Sequence, residues 1–553
     1  MRVVIVGGVA GGMSAATRLR RLLPTAEIVV VERDEHVSSA SCGLPYHVGG
    51  VIESRDALLL QTPASLRDRF DLDVRVRTEA VAIDRAAKQL VVRRLDDGVE
   101  QRLDYDRLVL SPGAGSIVPD LPGIERGLTL RTVPDAERIT AVIAARRPRT
   151  AVVVGGGFIG VEAAENLRHR GLAVTIVELA PQVLAPLDTE MVAGVHAELR
   201  ANGVDLALGV GLGKILPDAV ELADGRQIPA DLVVLAIGVR PETSLARAAG
   251  LTIGPRGGIA VDAGMLTSDP DIYAVGDAVE KPDRIGGESG LIPLANTANR
   301  QGRLVADAIA GRSVGLGGRI GTAIVRVFGL TVAVTGWNER RLRAAGRAHQ
   351  VIHAHPGNHA GYYPGAQSMA LKLLFDPADG TILGAQAVGG DGVDKRIDVI
   401  ATAMRGGLSV TDLADLELAY APPYGAAKDP VNMLGYIADH RGSGPVGSVQ
   451  WHELAGRLAA GSHLLDVRTP AEFARGHIPG ALNVPVDDLR ARFDDLPDRE
   501  LVVYCQVGLR AHTATALLAG LGHPVVNLDG GYLTWQAGQF RLPPGSLVGP
   551  GCG

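Results

Sequence analysis

The sequence predicts an α/β protein: two doubly wound nucleotide-binding domains, then an α+β domain, then a compact C-terminal α/β domain. Three observations lead there. Short apolar, β-branched runs at 3–6, 28–31, 152–154 and 174–177 show no polar alternation, as expected of strands buried on both faces of a parallel sheet. The order strand, glycine turn, helix, strand, acid occurs twice, ending first at Glu32 and again at Glu178. Such duplication implies two βαβ nucleotide units. Finally, glycine-rich stretches at 311–321 and 441–447 divide the remainder into segments of different texture.

The segment from 322 to 436 has alternating runs at 331–335 and 370–375 and a helical pattern at 393–405, which reads as α+β. A compact α/β segment follows from 447 to 541, and the Gly/Pro-rich residues 542–553 are expected to form a flexible tail. With 553 residues the chain has room for roughly three or four domains. Hydrophobic residues at 46% and charged residues at 21% fit a soluble globular protein. A net charge of −6 without long blocks excludes a nucleic-acid footprint and a basic membrane-binding patch. Three cysteines, an odd and sparse count, argue against a disulfide framework and for a reducing compartment. No apolar run is long enough to span a bilayer, and the N-terminus enters a strand rather than a signal peptide, so the expected location is cytoplasmic.

The second glycine turn carries the full dinucleotide fingerprint. Gly155 permits the tight turn, Gly157 lets the backbone approach a pyrophosphate, and Gly160 lets the helix pack on the strand. The phosphates would rest on the helix N-terminus. Glu178, about twenty residues on, suits ribose hydroxyls and repels a 2′-phosphate, and no arginine follows it closely. NADH is therefore expected over NADPH. The first turn, Gly7-Gly8-Val9-Ala10-Gly11-Gly12, departs from the pattern because Val9 holds the middle glycine position. Alone it would also suit a plain tight turn, but Glu32 and two later strand-to-glycine turns, ending at Gly113 and at Gly276-Asp277, favour a nucleotide site.

Cys42, in the run Ser-Ala-Ser-Cys-Gly-Leu-Pro-Tyr at 39–46, is the only cysteine before Cys505. With no second thiol nearby, its oxidised partner must come from outside the chain. Its thiolate needs positive potential, and Gly43-Leu44-Pro45 reads as the start of a short helix that would supply it. The alternative is a buried structural cysteine.

In this order, over about 435 residues, the motifs resemble the pyridine nucleotide–disulfide oxidoreductase family. The resemblance implies an FAD-binding domain in two parts (1–115 and 241–320), an NAD-binding domain (116–240) and a dimerisation domain (321–440). FAD contacts would come from Gly7, Val9, Gly12, Glu32, Gly113, Gly276, Asp277 and Ala295, with Asp277 on the ribityl chain and Ala278 beginning a helix aimed at the flavin. NAD contacts would come from Gly155, Gly157, Gly160 and Glu178. Glu162 resembles the family glutamate near the nicotinamide and the flavin ring; it also suits a first-turn acid at a helix N-terminus.

Two-cysteine members of the family are set aside because the second cysteine is missing. Single-cysteine peroxidases and oxidases typically carry a histidine in the first turn, where this chain has Ala10. The runs 41–46, 294–302 and 421–425 are similar instead to coenzyme A–disulfide reductases, which cycle through a Cys–S–S–CoA bond. That similarity implies a homodimer in which Tyr362 and Tyr420 reach the active cysteine of the other subunit, with Tyr363 and Tyr424 as competitors for the same register. Four tyrosines near prolines would also suit plain interface packing. Arg18, Arg21 and Arg67 are candidates for the phosphates of coenzyme A, although a basic helix face is commonly just solvated surface. The histidines 349, 353, 355 and 359 match no metal-ligand spacing, and no metal is expected.

The C-terminal segment contains Asp466-Val-Arg468, Glu472, Gly-His477-Ile-Pro-Gly, Cys505-Gln-Val-Gly-Leu-Arg510 and Leu528-Asp-Gly-Gly531, which resemble the rhodanese family. Backbone N–H groups after Cys505 would cradle its sulfur, and Arg510 would add positive charge. Related cysteine phosphatases space the arginine six residues from the cysteine; here the spacing is five, which suits sulfur better than phosphate. Cys552 is read as incidental. Together these resemblances imply NADH-driven reduction of coenzyme A disulfide, CoA-persulfide or polysulfide at Cys42, with sulfane sulfur supplied from a Cys505 persulfide. An NADH oxidase or redox sensor whose rhodanese segment serves a protein partner remains the alternative.

Overall fold

The computed structural model describes residues 1–312, 315, 317–443 and 447–539. The expected tail with Cys552, and parts of both glycine-rich linkers, lie outside the described residues. Two compact units result, Met1–Leu179 with Val210–Ile320, and Ala180–Gly209 with Gly321–Gly553. Among the described residues no helix is long and apolar enough to cross a membrane.

In the first unit the apolar runs become two parallel sheets. One orders Ile272–Ala274, Arg107–Leu110, Arg2–Val6, Glu27–Val31 and Asp73–Arg75 side by side. The other sets Ala173–Glu178, Thr150–Val154, Leu232–Leu235 and Leu128–Thr129 in the same sense. The inner strands have almost no exposed side chain; on the first sheet, helices Ala10–Leu22 and Ala295–Ile309 cover one face and the antiparallel strands Gln89–Arg94 and Glu100–Asp104 pack on the other. The duplication extends to the turns. Gly7 (φ +98°) and Gly155 (φ +107°) both adopt the left-handed region that only glycine enters cheaply. A Cβ on Gly12 would lie 1.9 Å from the Gly7 carbonyl oxygen, and one on Gly160 equally close to that of Gly155. Both helices, Ala10–Leu22 and Phe158–His169, can therefore start only where glycine lets them touch the turn.

One expected element is absent. Gly276–Ala278 forms a single 3₁₀ turn and the chain then extends at Val279, so no helix begins at Ala278. The next helix is Ala295–Ile309, which packs along Ala10–Leu22.

The second unit holds a five-stranded antiparallel sheet ordered Ala323–Val327, Leu330–Gly336, Ile382–Gly389, Met369–Phe375, Gln350–Ala354. Half-exposed alternation was expected here, yet Ile382–Gly389 is buried throughout and Met369–Phe375 nearly so. The reason is that helix Val393–Gly406 and helix Thr189–Ala201 both pack on it. The latter comes from the span 180–209, which groups with this unit although it falls inside the expected NAD-binding range. A parallel sheet ordered Gly447–Val449, Val525–Leu528, Leu501–Tyr504, His463–Asp466, Leu482–Asn483 makes the C-terminal α/β domain.

The doubly covered sheet buries a charge. Lys372 has no exposed surface, and its Nζ lies 2.5 Å from Glu190, 2.6 Å from Glu339 and 2.9 Å from Asp188. Burial opposes the ammonium, but the three carboxylates outweigh it and raise its pKa. Replacing Lys372 with Ala would remove the ammonium that the three carboxylates share, which His353 at Glu190 and Arg343 at Glu339 only partly replace, so the variant should lose about 3–5 kcal/mol of stability. Urea unfolding of the full chain measures this; a midpoint equal to wild type would show the cluster to be energetically idle.

Candidate functional site

Phosphate cradles are recognisable by what helix starts lack. Helices Pro63–Phe70 and Val133–Arg146 are closed by Thr62 and Thr132 in capping boxes. Ala10–Leu22, Phe158–His169 and Ala295–Ile309 have no side-chain cap and no acid in the first turn. Their leading N–H groups are disposed for an anion. A Cβ added at Gly157 would meet nothing within 4 Å, so the approach to the second turn is open. At the strand ends, Glu32 accepts the N–H of Gly8 at 2.7 Å and Glu178 accepts that of Gly156 at 2.6 Å. Each carboxylate is thereby held beside its glycine turn, where a ribose would lie. Burial pushes Glu32 up. These residues fit two dinucleotides, one on each glycine turn.

Cys42 lies in the 3₁₀ turn Ser41–Gly43, immediately before helix Leu44–Gly49. It is exposed, which excludes the buried structural alternative. Its electrostatics differ from expectation. Protein packed around the sulfur raises the thiol pKa, and the Glu162 carboxylate raises it further, against the lowering effect of the Arg131 guanidinium. The six-residue helix does not offset the carboxylates. Glu162 accepts the Tyr46 hydroxyl at 2.9 Å, and burial pushes its own pKa up. Arg131 pairs with Asp277 at 3.3 Å. The structure thus gathers Cys42, Glu162, Arg131 and Asp277 into one electrostatic neighbourhood. Tyr46 was visible in the cysteine motif without a role, and Arg131 carried no motif signal at all.

In the second unit the hydroxyls of Tyr362 and Tyr420 lie 3.0 Å apart, and both rings are exposed. That hydrogen bond raises the Tyr362 pKa. Tyr363 instead packs edge-on against His359. Tyr424 is exposed as well. Of the arginines considered for coenzyme A, Arg18 is paired with Asp307 at 2.8 Å and Arg21 donates to the Thr17 carbonyl on its own helix. Arg67 is exposed, and the hollow beside it is lined by Glu27, Asp71 and Asp73 as well as Arg20. That mixture of signs does not favour a phosphate.

Cys505 ends strand Leu501–Tyr504 and is buried, with the Gly508 N–H donating to its sulfur at 3.2 Å. Helix Leu509–Gly520 begins directly after this loop. The Cys505 sulfur is among the groups that raise the Arg510 pKa, but the guanidinium is held bidentate by Glu472 at 2.7 and 2.8 Å. Arg510 in turn holds the Glu472 carboxyl at about 2. The positive charge expected at the sulfur is therefore shared. Glu472 also closes a capping box with Thr469, the signal that concealed its second task. Arg468, buried against Asp466, steadies the loop by donating to Gln506 at 2.9 Å.

The same arrangement of domains occurs in known proteins. Residues 1–302 match the family described as pyridine nucleotide-disulphide oxidoreductase, residues 322–430 its dimerisation domain, and residues 450–538 the rhodanese-like domain. A coenzyme A disulfide reductase of Staphylococcus haemolyticus is 34% identical over 440 residues, 79% of this chain and 99% of the relative. The crystal structure of reduced Bacillus anthracis CoADR-RHD superposes with a TM-score of 0.96 at 48% identity, covering 97% of this chain and 98% of that one. A NAD-dependent persulfide reductase from A. fulgidus gives a TM-score of 0.91 at 38% identity, covering 97% and 100%.

Because Glu162 helps to raise the Cys42 thiol, the Glu162→Gln variant should titrate at lower pH than wild type. The pH dependence of iodoacetamide alkylation at Cys42 reads this directly; an unchanged or upward shift would remove Glu162 from the thiol's surroundings.

Proposed function

Since the chain belongs to the pyridine nucleotide-disulphide oxidoreductase family and carries a rhodanese-like domain, we propose that it reduces coenzyme A disulfide and CoA-persulfide with NADH and FAD through a Cys42–S–S–CoA bond. The observation that carries this reading is the exposed, solitary Cys42, set beside Glu162 and Asp277 in the unit holding both dinucleotide cradles. A thiol with no second cysteine near it in sequence takes its disulfide partner from a diffusing thiol.

As thiolate, Cys42 attacks the coenzyme A-side sulfur of CoA–S–SH. The sulfur–sulfur bond breaks, hydrosulfide leaves and the mixed disulfide forms; with CoA disulfide the leaving group is a coenzyme A thiolate. FAD, when bound, supplies two electrons from NADH to split the mixed disulfide into Cys42 thiolate and coenzyme A thiol. In a homodimer, the Tyr362–Tyr420 pair of one subunit hands a proton to the thiolate leaving at the other. The raised thiol pKa favours protonation of Cys42 at rest, with Arg131 as the nearby group that favours its ionisation. At the rhodanese-like domain, Cys505 accepts a sulfane sulfur and its persulfide passes that sulfur to coenzyme A thiolate, regenerating the Cys505 thiolate. The reaction belongs in a reducing cytoplasm, where sparse cysteines stay reduced.

Glu178 sets the preference for NADH by repelling a 2′-phosphate. The double variant Glu178→Ala, Leu179→Arg should raise kcat/KM for NADPH relative to NADH by at least about tenfold, measured by steady-state kinetics. Intact-mass analysis of the purified protein should show a coenzyme A adduct on Cys42 that NADH removes. The Cys42→Ser variant should lose NADH-driven sulfide release while Cys505-dependent sulfur transfer persists. No adduct, together with oxygen uptake on NADH alone that ignores coenzyme A, would replace this reading with an NADH oxidase.

A further inference from the structure

The histidines that match no metal spacing have a different occupation. His353 lies on strand Gln350–Ala354 and is 4% exposed. Its backbone N–H and its Nδ1 face the same carboxylate oxygen of Asp529 at 3.0 and 2.8 Å, and its Nε2 lies 3.0 Å from Glu190. Asp529 belongs to the rhodanese-like domain, directly after strand Val525–Leu528. Arg441 holds its other oxygen, and Gln450 donates at 3.2 Å to the oxygen that His353 faces. Nearby, His355 meets the Thr534 hydroxyl at 2.7 Å.

Beyond Asp529 the chain runs directly to the sulfur loop. Gly530 (φ +67°) and Gly531 (φ +63°) turn it sharply into helix Gly531–Gly538. The Tyr532 N–H donates to the Cys505 carbonyl at 2.8 Å and the Leu533 N–H to the Gln506 carbonyl at 3.1 Å. A Cβ on Gly531 would lie 2.5 Å from the Cys505 carbonyl oxygen, so turn and loop are in direct contact.

We propose that His353, a residue of the dimerisation domain, is a positioning residue for sulfur transfer at Cys505, acting through Asp529 and the glycine turn on the backbone that carries the sulfur. The inference rests on the reading of Cys505 as a sulfur acceptor. A ring that donates at both nitrogens satisfies Asp529 and Glu190 together, whereas a neutral imidazole has one donor and must fail one carboxylate. Burial opposes the charged ring, but the hydrogen bonds to Asp529 and Glu190 outweigh it, so the pKa is raised above 6.5. Around it stand Glu190, Asp529 and Glu339 as acids, Lys372 and Arg441 as bases, and His355, whose own pKa is lowered to about 4. Because the folded pKa is the higher one, the clamp is complete below pH 6.5 and is lost as pH rises through the raised folded value.

The test uses the full chain, thiosulfate as sulfur donor and cyanide as acceptor. The outer sulfur of thiosulfate passes to the Cys505 thiolate with release of sulfite, and cyanide then takes it as thiocyanate. Rates are expressed per Cys505 persulfide, counted by cyanolysis. The His353→Ala variant should lose about tenfold or more in kcat per loaded site, in the range that small misplacements cost. Its KM for thiosulfate and its NADH-driven reduction of CoA disulfide should stay near wild type. Wild-type transfer should fall on the alkaline side of the His353 titration, and that limb should be missing in His353→Ala and in His353→Gln, which keeps one donor. If the variants merely load fewer sites, with wild-type rate and pH profile per loaded site, the positioning role is overturned. If wild type itself forms no thiocyanate through Cys505, the sulfurtransfer reading fails first and takes this inference with it.

Discussion

Backbone N–H groups at a helix start require an acceptor, and this chain leaves the starts of Ala10–Leu22, Phe158–His169 and Ala295–Ile309 without a side-chain cap while closing others with threonine boxes. The rest of the first unit depends on that constraint. Each of the first two helices must begin against a strand end, so glycine is forced at the contact and the strand beside it must be apolar on both faces. Each following strand must end in a carboxylate that returns to the glycine turn. What looks like two separate motifs is one electrostatic requirement, met twice by the same backbone geometry.

Much of this was legible because it concerns residues close in sequence. Gly155, Gly157 and Gly160 announce their turn within six residues, and Cys505 and Arg510 stand five residues apart, in a loop and in the first turn of the helix after it. Spacing could not show that Tyr362 meets Tyr420, because that partner lies 58 residues away. Lys372 was hidden more deeply. On an alternating strand a lysine reads as solvent-facing, but Asp188 and Glu190, supplied from a span assigned elsewhere, and Glu339 enclose it in an interior. The helix expected at Ala278 failed for the opposite reason: a Gly-Asp-Ala sequence supports a turn as readily as a helix start, and the strand-like Val279 decides between them.

Charge assignments were the least legible. Cys42 was expected to sit in positive potential, yet carboxylates from two separate segments, Glu162 and Asp277, face it, with Arg131 as the opposing cation. Arg510 was expected to serve its sulfur, yet Glu472 holds both of its terminal nitrogens. In both cases a group distant in sequence decides the field at the reactive atom. Sequence patterns report which residue carries the chemistry, while its ionisation is settled by whatever the fold brings alongside.

The His353–Asp529 contact also bears on how the two parts of the second unit could be inherited. Cutting the chain in the linker near residue 444 would bare an acid and an imidazole on one fragment and, on the other, an aspartate stripped of His353 and Arg441 and left with Gln450. Neither fragment would simply regain an ordinary wet exterior, because those groups are placed for a dry seam. The C-terminal domain is thus no detachable passenger: a lineage that lost it would need to rewrite the strand that received it.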